Sequence, residues 1–368
     1  MTASPASLRG FLLLADISGY TSFLSRTELD HAHEIVSEFV ELIVSRLTSV
    51  FDIVKLEGDA VFAHIPLGTL ERNELILESI EDTYAAFRNR IVTVRRKRSC
   101  NCASCSSIPS LDLKFVLHSG EYVQRSIAGK PDLLGNDVNV IHRLLKNGVV
   151  ASTGWKAYVL MTENAVSDMG IGASEMARGR EEYEHIDPIL TYSYDLHRRL
   201  EEMTAARPWL TEVAASDWSY SKRVKAPPSI VWEWLNDPLK RGSMDNSTIS
   251  LQTRSRGRMG EGAVLHCAHG KNVEKEEIVE WRPFSSFAYL HRTSIGPILF
   301  VHDIVPTDDE VRLDVRVKLK PELAILRPFS RSIVAILSRA FSMRKQYDDL
   351  IRMAAEDWEK RTESHQPT

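Results

Sequence analysis

Asp16-Ile17-Ser18-Gly19-Tyr20-Thr21 closes the first apolar run of the chain, Phe11-Leu12-Leu13-Leu14, and Lys55-Leu56-Glu57-Gly58-Asp59 brings a second aspartate 43 residues after the first. Four uninterrupted apolar residues suit a central strand buried on both faces. Between the two stretches, Ile35, Phe39, Ile43, Leu47 and Val50 recur at helical spacing. Phe51–Leu56 and Ala60–Ile65 then read as a hairpin turning at Glu57-Gly58-Asp59. The pattern is an aspartate at a strand end, a helix, and an aspartate at a turn. Two carboxylates at loop ends beside glycine are what a magnesium-phosphate site needs, because hard divalent cations prefer oxygen and glycine lets backbone amides approach phosphate. Taken singly, each feature is also an ordinary turn.

Working outward, a second helix is expected from about Asn73 to Val92, with Ile76, Ile80, Tyr84, Phe87 and Ile91 on one face. A cysteine-bearing loop leads to a strand at Leu111–His118, a turn at Ser119-Gly120 and a return strand at Glu121–Ser126. Asp137–Lys146 reads as a short helix; Ala157–Met161 and Leu190–Tyr194 read as strands. Strands and helices mixed in this order predict an α/β or α+β sandwich with helices on one face of a sheet. Residues 199–216, charged or small and containing Pro208, read as a linker between a first domain at 8–198 and a second at 217–360.

The combined motifs resemble the class III adenylyl and guanylyl cyclase domain over roughly residues 8–196. That family carries D-x-x-G-F/Y-T at a strand end and K-x-x-G-D in a hairpin. Leu117-His118-Ser119-Gly120-Glu121 resembles its H-x-G turn, and the segment from Asp132 to Arg143, DLLGNDVNVIHR, its D-x-x-G-x-x-V-N-x-x-x-R element. The resemblance implies a ferredoxin-like α/β sandwich with two divalent ions, Mg2+ or Mn2+, held by Asp16 and Asp59. It assigns Lys55 and Asp132 to a nucleoside triphosphate's base, with ATP favoured, and Asn139 and Arg143 to the ribose and the transferring phosphorus. Asn139 and Arg143 are four residues apart and share a helix face; arginine's planar fork suits phosphate oxygens. It further implies a head-to-tail homodimer, since the family's aspartates and its Asn/Arg pair come from different protomers.

Two features depart from the pattern. Glu57 adds negative charge beside the proposed metals. Cys100-x-Cys102-x-x-Cys105 offers three close thiolates, which suggest zinc or a redox pair; they are one short of a structural zinc site, which Cys267, His118, His142 or a partner residue could complete, and reduced cysteines capping a loop are the alternative.

From Trp218 to Trp358 the expected order is strand, helix, six or so strands and a long helix running from about Leu326 to Ala354. Val224-Lys225-Ala226-Pro227-Pro228, Asn236-Asp237-Pro238, Gly260-Glu261-Gly262 and Glu280-Trp281-Arg282-Pro283 resemble the START-like superfamily. That resemblance implies a helix-grip α+β domain around a cavity for a hydrophobic small molecule or lipid. Alternating Val311–Leu319 is expected to form one wall, and Phe329, Ile333 and Leu337 another; a solidly packed core is the alternative.

A length of 368 residues with 43% hydrophobic and 26% charged composition fits two globular domains. A net charge of -4 gives no global attraction to nucleic acid or anionic membrane, and no apolar stretch has the length of a membrane span. The absence of a signal-type segment and of a disulfide framework predicts a cytoplasmic protein. Two functions compete: a cyclase making cyclic AMP and pyrophosphate, regulated by a ligand behind it, and a non-catalytic cyclase-like dimer that senses nucleotide or a lipophilic ligand.

Overall fold

Phe11 to Ala15 are fully buried and belong to β1 (Ser7–Ser18), the strand around which the first part of the chain is built. The computed structural model describes residues 7–25, 29–97, 107–127, 129–205, 216–245, 248–254, 257–269, 272–307 and 310–364. It divides into two compact units, Met1–Glu202 and Met203–Thr368.

In the first unit β1 leads through Gly19, at φ 87°, into α1 (Tyr20–Leu24) and then α2 (Leu29–Leu47). β2 (Asp52–Glu57) and β3 (Ala60–Pro66) form the expected hairpin, turning at Gly58 with φ 69°. After α3 (Leu75–Lys97) come β4 (Asp112–Ile127), β5 (Lys130–Leu134) and α4 (Asn136–Leu144). The unit closes with α5 (Val149–Thr153), β6 (Tyr158–Thr162), α6 (Glu163–Met169), β7 (Ala177–Tyr183), β8 (Ile186–Asp195) and α7 (Leu196–Thr204). The sheet order is β2-β3-β1-β4-β6-β8-β7, with β5 paired to β4 off that path. The β4–β6 pair is parallel and the others antiparallel. Leu12 and Leu14 of β1, Phe62 of β3 and Val116 of β4 pack with Val138, Ile141 and Leu144 of α4, so α4 lies on that face. The residues of opposite parity, Phe11, Leu13 and Ile17, are buried as well; α2 and α3 pack together through Phe39 and Phe87, with ring centroids 4.8 Å apart.

Ser119-Gly120 is not a turn. β4 runs unbroken past it, paired to β1 from Asp112↔Ser18 to Val123↔Ser7, and the return strand is β5. The glycine serves a close approach instead, described below. Residues 199–204, expected to begin a linker, continue α7, where Leu196 and Met203 are buried at helical spacing.

The second unit contains β9 (Trp218–Val224), α8 (Pro228–Asn236), α9 (Pro238–Asp245) and six further strands. These are β10 (Thr248–Thr253), β11 (Val264–His269), β12 (Asn272–Arg282), β13 (Ser286–Thr293), β14 (Gly296–Pro306) and β15 (Val311–Leu319). They form an antiparallel sheet in the order β10-β11-β12-β13-β14-β15-β9. β15 alternates as its sequence predicts: Val311, Leu313, Val315, Val317 and Leu319 are buried, and the residues between them are half-buried. The expected single terminal helix is two, α10 (Ser330–Ala340) and α11 (Met343–Ser364). Ser342 adopts φ 51°, and its amide bonds the Arg339 carbonyl, ending the first helix. A left-handed non-glycine residue is sterically disfavoured. Ser342→Gly is therefore expected to stabilise the chain by about 1 kcal/mol, read as a higher urea midpoint; an unchanged or lower midpoint would contradict a strained hinge.

Candidate active site

Asp16 lies near the end of β1, where the hydrogen-bonded register sets it beside Ala60 of β3 and Lys114 of β4. Asp59 immediately precedes Ala60, so the β2–β3 turn delivers it to the same end of the sheet. Burial and the charge of Asp16 together push the Asp59 carboxyl up to about 6. Lys114 Nζ stands 3.0 Å from Asp16 Oδ2, with both side chains about 20% exposed. The site is thus two crowded carboxylates and one ammonium. Among the described residues no group of three or more His, Cys, Asp or Glu side chains is placed to hold a metal. Two carboxylates without a full protein cage fit Mg2+ or Mn2+, which take one or two carboxylates and fill the remaining positions with substrate phosphate and water.

Lys55 and Asp132 are brought together, with Nζ 3.8 Å from Oδ1. Both are engaged elsewhere. Lys55 pairs with Glu57 at 2.9 Å, and Arg125 donates to Asp132 Oδ2 from Nε at 3.0 Å and Nη2 at 2.8 Å. The Arg125 hydrogen bonds hold the Asp132 carboxyl below its ordinary range. Burial works against the Glu57 charge, but hydrogen bonds from Lys55 and His142 outweigh it and lower that carboxyl as well.

Asn139 and Arg143 project from the exposed face of α4, and among the described residues neither side chain has a hydrogen-bond or ion-pair partner. Within one chain no such contact joins them to Asp16 or Asp59. What fixes them is the seat of α4. Asp137, in its first turn, accepts from the Glu121 amide at 2.6 Å and from His118 Nε2 at 3.1 Å, while His118 Nδ1 meets Thr162 Oγ1 at 2.9 Å. A Cβ at Gly120 would collide with the Asp137 carboxyl group, so only glycine admits this seat. Near the other end of α4, His142 Nε2 lies 3.1 Å from Glu57 Oε1, two residues from Asp59.

His118 and His142, considered as completing zinc ligands, are both committed to these contacts; Cys100, Cys102 and Cys105 lie outside the described residues. Sequence reasoning missed Lys114, Arg125 and Asp137. A lone lysine in the apolar run Leu113-Lys114-Phe115-Val116 was the available signal for the first.

In the second unit a cavity of about 570 Å³ lies among β11–β14, α10 and α11. Leu337 and Val317 line it, as expected, whereas Phe329 is exposed and Ile333 does not reach it. Its polar end was not anticipated: Arg241 Nη2 donates to both oxygens of Glu276 at 3.1 and 3.0 Å, and its guanidinium lies 5.4 Å from the Tyr289 ring. Tyr347 Oη is 2.8 Å from His302 Nε2; burial and the Arg241 charge push that imidazole down to about 3, so it is neutral.

Residues 36–153 match a family model described as a protein of unknown function (DUF2652). Over 145 residues the chain is 30% identical to an uncharacterized protein of Mycobacterium tuberculosis, the match covering 39% of this chain and 66% of that one, just under two thirds of the relative's length. Similar solved structures include a bacterial light-regulated adenylyl cyclase, 14% identical over 55% of this chain and 57% of that chain with a TM-score of 0.40. The guanylyl cyclase Cya2 is 12% identical over 51% of this chain and 92% of its own, with a TM-score of 0.41. The adenylyl cyclase CyaB of P. aeruginosa is 13% identical over 52% and 95%, with a TM-score of 0.39. These are remote likenesses. No described helix is long and apolar enough to cross a membrane.

The crowding of Asp16 and Asp59 has a measurable sign. The folded Asp59 value near 6 exceeds its unfolded value of about 3.9, so ionising it opposes folding, and the penalty grows from about pH 4 to pH 6 and is complete above. Asp59→Asn should raise the thermal midpoint of metal-free protein at pH 7.5. Mn2+ affinity of the unaltered chain, by calorimetry, should fall about fourfold from pH 7.5 to 5.5 as Asp59 protonates. A lower midpoint with pH-independent affinity would show that the two carboxylates do not form one site.

Proposed function

We propose that the first unit is a class III nucleotide cyclase that converts ATP to cyclic AMP and pyrophosphate, working as a homodimer with two equivalent shared sites. The ribose 3′-oxygen bonds the α-phosphorus, the bond from that phosphorus to pyrophosphate breaks, and the 3′-hydroxyl proton is released. The observation that carries this reading is the pairing of Asp16 with Asp59 at one end of the sheet beside Lys114.

In this reading Asp16 and Asp59 would hold the divalent ions, Mg2+ or Mn2+ and two per site. When bound, such ions supply Lewis acidity to the attacking hydroxyl and neutralise the leaving pyrophosphate. Lys114 balances Asp16 in the protein alone and would turn to a phosphate oxygen when nucleotide binds. Lys55 and Asp132 would read the adenine ring nitrogen and exocyclic amine, exchanging their Glu57 and Arg125 partners for the base. Asn139 would orient the ribose. Arg143, one helical turn on, would donate its fork to the oxygens of the transferring phosphorus, where charge develops. Both are presented outward without partners among the described residues, as residues serving another copy's carboxylates would be. Exposed Leu56, Ile127 and Leu134 on neighbouring strands give that copy apolar surface to cover.

For the second unit the reading is a START-like, helix-grip ligand-binding domain that regulates the first. Its antiparallel sheet, its two terminal helices and the cavity beside them support this. Arg241 and Glu276 neutralise one another, so a third buried charge would be unfavourable. The cavity therefore suits a hydrophobic molecule with an uncharged polar group rather than an anionic lipid.

One observation favours the non-catalytic alternative. The Lys55–Glu57 and Arg125–Asp132 pairs occupy the two base-reading side chains. Incubating the chain with each of the four nucleoside triphosphates and Mg2+ or Mn2+, with mass detection, separates the readings. The expected product is cyclic AMP, reduced at least about a hundredfold in Asp16→Ala and Asp59→Ala. Nucleotide binding with no cyclic product from any triphosphate would establish the sensor instead.

A further inference from the structure

The stretch 323–347, LAILRPFSRSIVAILSRAFSMRKQY, carries Arg327, Arg331, Arg339, Arg344 and Lys345 and no acidic residue, in a chain whose net charge is -4. Globular chains interleave their charges, so 25 residues at +5 form a local field of opposite sign to the whole. The same stretch exposes large apolar side chains. Leu323, Ile325, Phe329, Ile336 and Phe341 are each between 58% and 77% exposed. Single exposed apolar residues are common, but five within 19 residues concentrate apolar surface along one segment, and concentrated apolar surface marks interaction sites. Arg327, Arg331 and Arg339 have no ion-pair or hydrogen-bond partner among the described residues, so their charge is not consumed by the fold.

We propose that this segment, the turn at Ala324–Phe329 together with α10, docks on an anionic lipid bilayer. Exposed aromatic and aliphatic side chains set among unpaired arginines are the composition that seats a helix at the boundary of headgroups and acyl chains. The apolar share argues against a nucleic acid, which would bind the cations and leave Phe329 and Ile336 in water. α10 is also a wall of the cavity: Val334 and Leu337 line it, and Phe341 both lines it and reaches the surface. The docked face and the cavity are thus two sides of one helix. A hydrophobic ligand could pass between bilayer and cavity past Phe341, with the Ser342 break as the hinge. The docking rests on none of the nucleotide chemistry proposed above.

The test is flotation of the full chain with vesicles, 1:1 phosphatidylglycerol and phosphatidylcholine against phosphatidylcholine alone. Binding is expected to the anionic vesicles only and to weaken in high salt, since surface charge is screened over about 10 Å at 0.1 M. Arg331→Glu/Arg339→Glu and, separately, Phe329→Asp/Ile336→Asp should each weaken it about tenfold or more. All four positions are exposed, and an unchanged thermal midpoint would show that the variants fold. No binding to anionic vesicles, or equal binding to both compositions, would overturn the proposal. So would a loss of self-association in Phe329→Asp/Ile336→Asp, by light scattering, with vesicle binding unaltered, which would assign the patch to a second copy of the chain.

Discussion

The Asp137 carboxylate, lodged in the space that a side chain at residue 120 would fill, fixes the geometry on which the proposed chemistry depends. One oxygen takes the Glu121 amide and the other takes His118, whose second ring nitrogen is held by Thr162. The His118 hydrogen bond keeps Asp137 below the ordinary aspartate range, as expected of a carboxylate accepting several donors. A negatively charged residue in a helix's first turn also favours the helix itself. Asn139 and Arg143 are therefore not merely surface residues one turn apart. Their helix is bonded to β4 at its start and to Glu57, in the hairpin that carries Asp59, near its end.

The site concentrates unfavourable charge where metal and phosphate would offset it. Asp59 is raised because it is partly buried beside Asp16, and Lys114, ion-paired to Asp16, offsets only part of that rise. A core arranged for stability alone would not crowd two carboxylates, and such departures gather at functional sites. Glu57 has a structural use: it joins Lys55 of the hairpin to His142 of the helix rather than facing the aspartates alone.

How much of this was legible in sequence depended on range. The central strand, the hairpin and the helix bearing Asn139 and Arg143 followed from local periodicity and turn residues. The resemblance to the cyclase motifs grouped Asp16 with Asp59 and Lys55 with Asp132. Lys114 was hidden because its role depends on strand register, which local pattern does not fix. Ser119-Gly120 was misread because glycine marks both turns and close approaches, and only the distant Asp137 tells them apart. Ser342, just past the end of α10, is not a helix-stop residue, so an apolar repeat at helical spacing ran through it. The Arg241–Glu276 pair joins a helix to a strand 35 residues on, and nothing local announced that these two charges would be buried together. The basic, apolar stretch around α10 was visible as composition, but only burial showed which of its apolar residues face outward.

The central claim is that one chain supplies the carboxylates and another supplies Asn139 and Arg143. Mixing two inactive variants, Asp59→Ala and Arg143→Ala, tests it most directly. If the site is shared, each variant alone makes no cyclic nucleotide, and the mixture recovers up to about a quarter of the unaltered activity, since half the dimers are mixed and each holds one intact site. A mixture as inactive as its components, with subunit exchange demonstrated, would contradict the shared site.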